Sequence, residues 1–247
     1  MSFKDHFSSH AAAYAAYRPT YPAELARWLS TIAPTTQMAL DVGCGSGQLS
    51  LLLAEHFDRV VATDPSRQQI DSAILHPKID YRVGPAETSG LPDASVDLLT
   101  AAQAAHWFDQ PAFFAEAQRV LARNGVIALV TYAGMMPKGD IEKIVDHFRL
   151  VTLDGYWPPE RAIVENDYSD ITLPFAPIAA PPFFIEVDWP LSALMGYLDT
   201  WSAVRAMERD IGRGPIEAVA KALTGAWGDP DITRRICWPL TIVAGRV

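Results

Sequence analysis

Short apolar runs alternate with stretches of helical periodicity from residue 37 to about residue 133, the pattern of a parallel sheet covered on both faces. Strands are predicted over 37–42, 59–63, 79–83, 96–100 and 126–132. Between the last two, 111–122 reads as a helix: Pro111 suits a first turn, and Phe114, Ala117, Val120 and Leu121 recur at helical spacing. Asn124-Gly125 follows as a stop signal. Downstream, 138–153 reads as a helix, 183–189 alternates like a strand, 191–210 and 215–227 are helical, and a last strand falls near 238–245. The alanine-rich 11–16 reads as an N-terminal helix closed before Pro19.

The stretch 154–190 breaks the pattern, being rich in proline and aromatic residues. A connection of that length inside a compact domain is read as a mostly apolar lid over a small-molecule pocket. One domain is expected: a helical cap over 1–36, a cofactor-binding core over 37–133, and a substrate lid with C-terminal strands over 134–247.

The most telling junction is Asp41-Val42-Gly43-Cys44-Gly45-Ser46-Gly47, which joins the first strand to a helical run beginning near Leu49. A strand entering a glycine turn and then a helix builds a nucleotide-sized pocket at the strand's carboxyl end. A dinucleotide fingerprint spaces its glycines G-x-G-x-x-G. Here the third glycine comes one position early, with Gln48 in the fingerprint's place, and Asp41 puts a carboxylate where a pyrophosphate wants none. The turn therefore favours a cofactor with an ammonium group and no phosphate. Asp64 follows at the end of the second strand, where a carboxylate accepts both hydroxyls of a ribose; the competing reading is an acid capping the helix that Asp64-Pro65-Ser66 announces. The loops after the third and fourth strands must converge on the same crevice. They bring Ala86 and Glu87 to bound a purine, Gln103 and Ala104 to line the floor, and His106 with Trp107 toward a substrate. His106 is the candidate general base, against the alternative of a histidine packed between aromatics.

Composition narrows the function class. Of 247 residues 49% are hydrophobic and 20% charged, which is ordinary for a globular protein. The net charge of -9 argues against a nucleic-acid partner. No apolar run approaches a membrane span, and the first residues lack the apolar core of a secretory signal, so a cytoplasmic protein is expected. Cys44 and Cys237 are far apart with no C-x-x-C spacing, and the six histidines show no ligand spacing, so neither a disulfide nor a metal is expected.

The ordered set Asp41-x-Gly43-x-Gly45-x-Gly47, Asp64-x-Ser66, Gly84-x-Ala86-Glu87 with Leu91-Pro92, and Gln103-Ala104-x-His106-Trp107-Phe108-Asp109 resembles the class I S-adenosylmethionine-dependent methyltransferases. Tyr14-Ala15-Ala16-Tyr17-Arg18-Pro19-x-Tyr21-Pro22 and Tyr197-Leu198-x-Thr200-Trp201 resemble their type 11 branch, which includes trans-aconitate methyltransferase-like proteins. The resemblance implies an α/β Rossmann-like fold: a seven-stranded, mostly parallel sheet of order 3-2-1-4-5-7-6 with its last strand antiparallel and helices on both faces. It implies S-adenosyl-L-methionine as cofactor. Asp41 and the loop through Gly43, Gly45 and Gly47 would hold the methionine end and Asp64 the ribose. Pro65, Ser66, Gln69, Ala86 and Glu87 would surround the adenosine, and Gln103 with Ala104 would face the methionine portion. Tyr14, Tyr17 and Tyr21 with Arg18 would close over the site, against the alternative of an amphipathic helix on the sheet edge. Trp107, Tyr132 and Trp201 would meet the acceptor together with Tyr17, and His106 would serve as base where the acceptor needs one. The implied partner is a small-molecule methyl acceptor reacting through a carboxylate or hydroxyl oxygen, in a monomer or homodimer. The competing functions are a nicotinamide-dependent oxidoreductase and a non-catalytic S-adenosylmethionine-binding protein.

Overall fold

The computed structural model describes Tyr17, residues 19–136 and residues 139–247. The expectations for the helix over 11–16, for Tyr14 and for Arg18 lie outside the described residues. The strands are β1 (Met38–Val42), β2 (Arg59–Asp64), β3 (Ile79–Val83), β4 (Val96–Ala102), β5 (Leu121–Thr131), β6 (Ala176–Ile178), β7 (Phe183–Trp189) and β8 (Arg234–Arg246). The first five pair in parallel in the order 3-2-1-4-5. In register, Leu40 stands beside Val61 on β2 and Leu99 on β4.

The central strands are apolar on both faces because both faces are covered. On β1, Leu40 and Val42 join one buried cluster, with Phe113, Ala117 and Val120 of α4 (Gln110–Val120). Ala39 joins the opposite cluster, with Leu25 and Leu29 of α1 (Ala23–Ile32) and Leu49 and Leu53 of α2 (Gln48–Ala54). A third cluster packs α7 (Leu191–Asp199), α8 (Ser202–Ile211) and α9 (Gly214–Trp227) on β7 and β8.

The expected seven strands become eight, in the order 3-2-1-4-5-8-6 with β7 paired to β8 off that path. The long β8 runs antiparallel to β5 and takes both β6 and β7 on its other side, so two strands share the place expected for one. Ile178 pairs with Ala244 and Phe183 with Leu240, five steps on one side against four on the other. The extra residue falls in the segment containing Pro181 and Pro182, which lack the N–H that a continuous ladder needs. The helix expected over 191–210 is likewise two helices. The Thr200 hydroxyl donates to the Tyr197 carbonyl, and the extended backbone of Trp201 (ψ 133°) starts the second helix in a new direction. The helix expected over 138–153 is α5 (Asp140–His147) continued by a π-turn over Phe148–Thr152. Most of the predicted lid is sheet or a path to it: only 157–161 reaches the cavities described below, just before the short α6 (Arg161–Glu165).

Trp238 on β8 is fully buried, with its ring edge-on to Tyr132, Trp189 and Tyr197. Trp238→Ala is expected to lower the unfolding free energy by about 3–5 kcal/mol in urea denaturation. Trp238→Phe is expected to cost far less, because the indole N–H lost has no hydrogen-bond partner among the described residues.

Candidate active site

A cavity of about 830 Å³ opens at the carboxyl ends of β1, β2 and β4. Asp41, at the end of β1, is buried, its Oδ2 accepting from the Ser50 hydroxyl at 2.6 Å and its Oδ1 from Thr100 at 2.8 Å. Burial outweighs both bonds and, with Asp64 nearby, lifts its pKa to about 6. Asp64 accepts from the backbone N–H of Gly45 at 2.9 Å and of Ser66 at 2.8 Å, and thus ties the glycine turn to the start of α3 (Arg67–Asp71). The residue that caps that helix is Ser66, whose Oγ accepts from Gln69 N–H.

The three glycines serve three purposes. A Cβ on Gly43 would lie 2.5 Å from the Ala104 Cβ, and one on Gly47 2.2 Å from the Tyr81 hydroxyl, so these two let the turn pack against the loop after β4 and against β3. At Gly45, φ is +56° and the nearest atoms to an added Cβ are the Gln48 and Gln69 amide oxygens, at 3.7 and 3.8 Å. Its open face belongs to the cavity, where a ligand can approach the backbone.

The third and fourth loops are held from behind. Glu116 accepts from the Ser89 N–H and hydroxyl at 2.7 and 2.6 Å and pairs with Arg119, which in turn donates to the Leu91 carbonyl and Asp93. The Arg119 bond, opposed by partial burial and aided by Ser89, holds the Glu116 pKa down at about 2. The clamp fixes the loop carrying Ala86 and Glu87, and Glu87 accepts from the Asp109 N–H at 2.9 Å. Gln103 ends β4 in the left-handed region, φ +54°. Its amide is fixed on both sides, accepting from the Thr131 hydroxyl at 2.6 Å and donating to the Tyr132 carbonyl at 2.7 Å.

Asp41, Asp64, Glu87, Asp109 and Glu160 line the cavity, and no lysine or arginine among the described residues does. Such a lining suits a cationic ligand and opposes a pyrophosphate. The buried Gln69 Oε1 also lines it without a hydrogen-bond partner among the described residues, a vacancy for a donor on the ligand. A nucleoside with an ammonium or sulfonium group fits this donor set and the open face of Gly45.

A smaller chamber adjoins the cavity, and Gln103, Trp107 and Tyr132 line both. Beyond them its walls include His106, Trp157, Arg161, Tyr197 and Trp201. His106 Nδ1 lies 3.1 Å from the Tyr168 hydroxyl. Burial, reinforced by the Arg161 charge, pushes its pKa down to about 3, so the ring is neutral at physiological pH.

Residues 40–129 match the family described as methyltransferase domain. The chain is 32% identical over 234 residues to a provisionally named methyltransferase of Dictyostelium discoideum, covering 93% of this chain and 89% of that one. This chain belongs to the class I S-adenosylmethionine-dependent methyltransferases. Its methyl donor is S-adenosylmethionine. The methyltransferase also superposes at a TM-score of 0.88 on a solved, provisionally named type II methyltransferase from Anaeromyxobacter dehalogenans, with 49% identity over 93% of this chain and 98% of that one. It is 32% identical over 117 residues to a malonyl-[acyl-carrier protein] O-methyltransferase of Serratia marcescens, covering 47% of this chain and 44% of that one.

Most residues predicted to hold the cofactor line the methyltransferase's main cavity: Asp41, Gly43, Gly45, Asp64, Pro65, Ser66, Gln69, Ala86, Glu87, Gln103 and Ala104. Gly47 does not, because it faces Tyr81. His106 and Trp201 lie in the side chamber alone. Tyr17 lines neither; its ring lies against Gly196, where an added Cβ would be 2.5 Å away. Tyr21 does line the main cavity. Sequence reasoning missed Glu160 and Trp157, which stand among prolines in the predicted lid; their signal was a Glu-Arg pair inside an otherwise apolar stretch. It also missed the Glu116–Arg119 clamp, which reads in sequence as an ordinary i,i+3 helix pair.

The raised pKa of Asp41 has a definite sign. Its charge destabilises the fold progressively as pH rises from 3.8 through about 6, and the penalty is complete above that. Asp41→Asn without cofactor is therefore expected to be more stable than the parent by ~2 kcal/mol at pH 8, the gap closing toward pH 4. Urea denaturation at pH 4, 6 and 8 checks this, and a gap independent of pH would refute it.

Proposed function

We propose that this methyltransferase acts on an oxygen, carboxylate or hydroxyl, of a small-molecule acceptor. The observation that carries the reading is the shared boundary at Gln103, Trp107 and Tyr132, where the side chamber with His106 and Arg161 opens into the main cavity. S-adenosylmethionine supplies a methyl group on a cationic sulfur, which an acceptor lone pair takes by direct in-line displacement. The protein's part is positioning, which can contribute roughly 7–11 kcal/mol when two reactants are held in line. In this reading Asp64 holds the ribose hydroxyls, Asp41 faces the ammonium group through its remaining lone pairs, and Gln69 accepts from a donor on the adenosine. Ala86 and Glu87 border the base. Gln103, fixed by Thr131 and Tyr132, marks the plane across which the methyl group passes.

An oxygen that arrives ionised needs no base, and the neutral, weakly basic His106 fits such an acceptor. Its role is then to orient the acceptor by a hydrogen bond from the ring edge away from Tyr168. The likeness to an O-methyltransferase, over 47% of this chain and 44% of that one, supports oxygen as the receiving atom. The walls of aromatic rings favour a small molecule over a polymer, and a single arginine among the described residues favours a monoanion over the polycarboxylate of the trans-aconitate branch.

Calorimetric titration tests the site. S-adenosylmethionine is expected to bind and NAD not to bind, and Asp64→Ala is expected to weaken the former by about 10- to 100-fold, the equivalent of losing a charged hydrogen bond. Asp64→Asn, which keeps an acceptor for the Gly45 N–H, separates loss of the ribose contact from collapse of the turn. An unchanged Kd in both variants removes Asp64 from the ribose, and preferential NAD binding removes the reading as a whole.

A further inference from the structure

A buried tyrosine stands behind His106. Tyr168 follows α6 and takes a left-handed backbone, φ +57°, directly after Asp167 at +52°. Among the described residues this is the one place where two consecutive residues other than glycine do so. Such a backbone is costly for a bulky side chain and persists only where the surroundings over-determine it. Here the Asp167 N–H donates to the Val164 carbonyl and the Tyr168 N–H to that of Ile163, both at 3.0 Å, while the Asp167 carboxylate accepts from the Thr241 hydroxyl at 3.3 Å. The bend delivers the phenol hydroxyl to Nδ1 of His106, 3.1 Å away.

Valence fixes the protons at this junction. Ala105 and His106 open the tight turn Ala105–Trp107, so their N–H groups have no carbonyl within it. Both converge, with the Thr131 hydroxyl, on the Tyr168 oxygen. Thr131 has a single proton, and at 2.6 Å it is committed to the Gln103 amide oxygen. The two backbone N–H groups therefore fill the lone pairs of the Tyr168 oxygen, which has no place left for an Nδ1–H. Burial pushes the phenol pKa up, so the hydroxyl keeps its proton and gives it to Nδ1. His106 is neutral, and its one ring proton is then on Nε2.

We infer that Tyr168 is a positioning residue that locks His106 as the Nε2–H tautomer, so that the histidine meets the methyl acceptor as a hydrogen-bond donor and not as a base. This assignment rests on methyl transfer to an oxygen at the boundary of the two cavities, and it sharpens that reading. The side chamber, about 50 Å³ between packed aromatic rings, admits roughly one or two heavy atoms. The body of the acceptor therefore stays in the main cavity, and one oxygen reaches the Nε2–H. A donor fixed there, with no lone pair to take a proton, selects an oxygen that arrives already ionised. Through Thr131 the same junction also sets Gln103, so one buried hydroxyl aligns both side chains that face the transfer.

The test is the side-chain nitrogen spectrum of the full chain, labelled with 15N-histidine and saturated with S-adenosylhomocysteine at neutral pH, His106 being assigned by the signals lost in His106→Gln. The parent protein is expected to show a proton on Nε2 and a bare Nδ1 whose signal is displaced by the bond it accepts. In Tyr168→Phe that Nδ1 signal is expected to move toward the unbonded position. Thr131→Val is expected to leave the tautomer unchanged, because the Tyr168 proton does not go to Thr131. A proton on Nδ1 in the parent, a switch of tautomer in Thr131→Val, or an unmoved Nδ1 signal in a folded Tyr168→Phe would each overturn the assignment. The parent spectrum and Thr131→Val decide the matter even if Tyr168→Phe does not fold. Failure of S-adenosylhomocysteine to bind the parent protein would instead overturn the reading of the main cavity.

Discussion

A single buried carboxylate joins the parts on which this site depends. Asp41 sits at the end of the central strand β1, and its two oxygens take the hydroxyls of Ser50 on α2 and Thr100 on β4. Strand, helix and neighbouring strand are thereby fixed relative to one another at the point where the glycine turn leaves the sheet. Desolvation makes the charge costly and two hydroxyls only partly compensate, so the fold keeps at its centre a group that its own surroundings disfavour. A cationic ligand in the adjoining cavity relieves that penalty, which ties the cost in the free protein to binding.

The same economy recurs at the next strand end. Gln103 adopts a left-handed backbone, a strain of about 1–3 kcal/mol for a residue other than glycine, and is held there by Thr131 and Tyr132. Ala86 and Glu87 sit on a loop that would wander without the Glu116–Arg119 clamp behind it. The cavity is therefore built from loops whose positions are set by polar contacts to rigid elements, the arrangement that lets a sheet hold a ligand precisely placed.

The sequence reading succeeded where a residue's role follows from local backbone chemistry. The five parallel strands were visible as apolar runs, and Asp64 as a carboxylate at a strand end, because strand and turn propensities act over a few residues. It failed where the outcome depended on distant partners. Nothing in Pro181-Pro182 announces that β6 and β7 divide one place beside β8, since that depends on a register with residues about 60 positions away. Gly47 read as a cofactor-binding glycine, but its crowding against Tyr81 on β3 is a contact no spacing encodes.

By itself the sequence determined the fold class and the cofactor, because a strand, a glycine turn and a helix in succession admit few arrangements. Tertiary structure alone brought the walls of the side chamber together. Trp107 comes from the loop after β4, Trp157 and Arg161 from the connection to α6, and Trp201 from the break between α7 and α8. These residues are far apart along the chain; Trp107 and Trp201 stand in motifs that the sequence shows, whereas Trp157 and Arg161 belong to none. Their meeting is set by how the C-terminal helices pack on β7 and β8, a matter of long-range burial rather than local pattern.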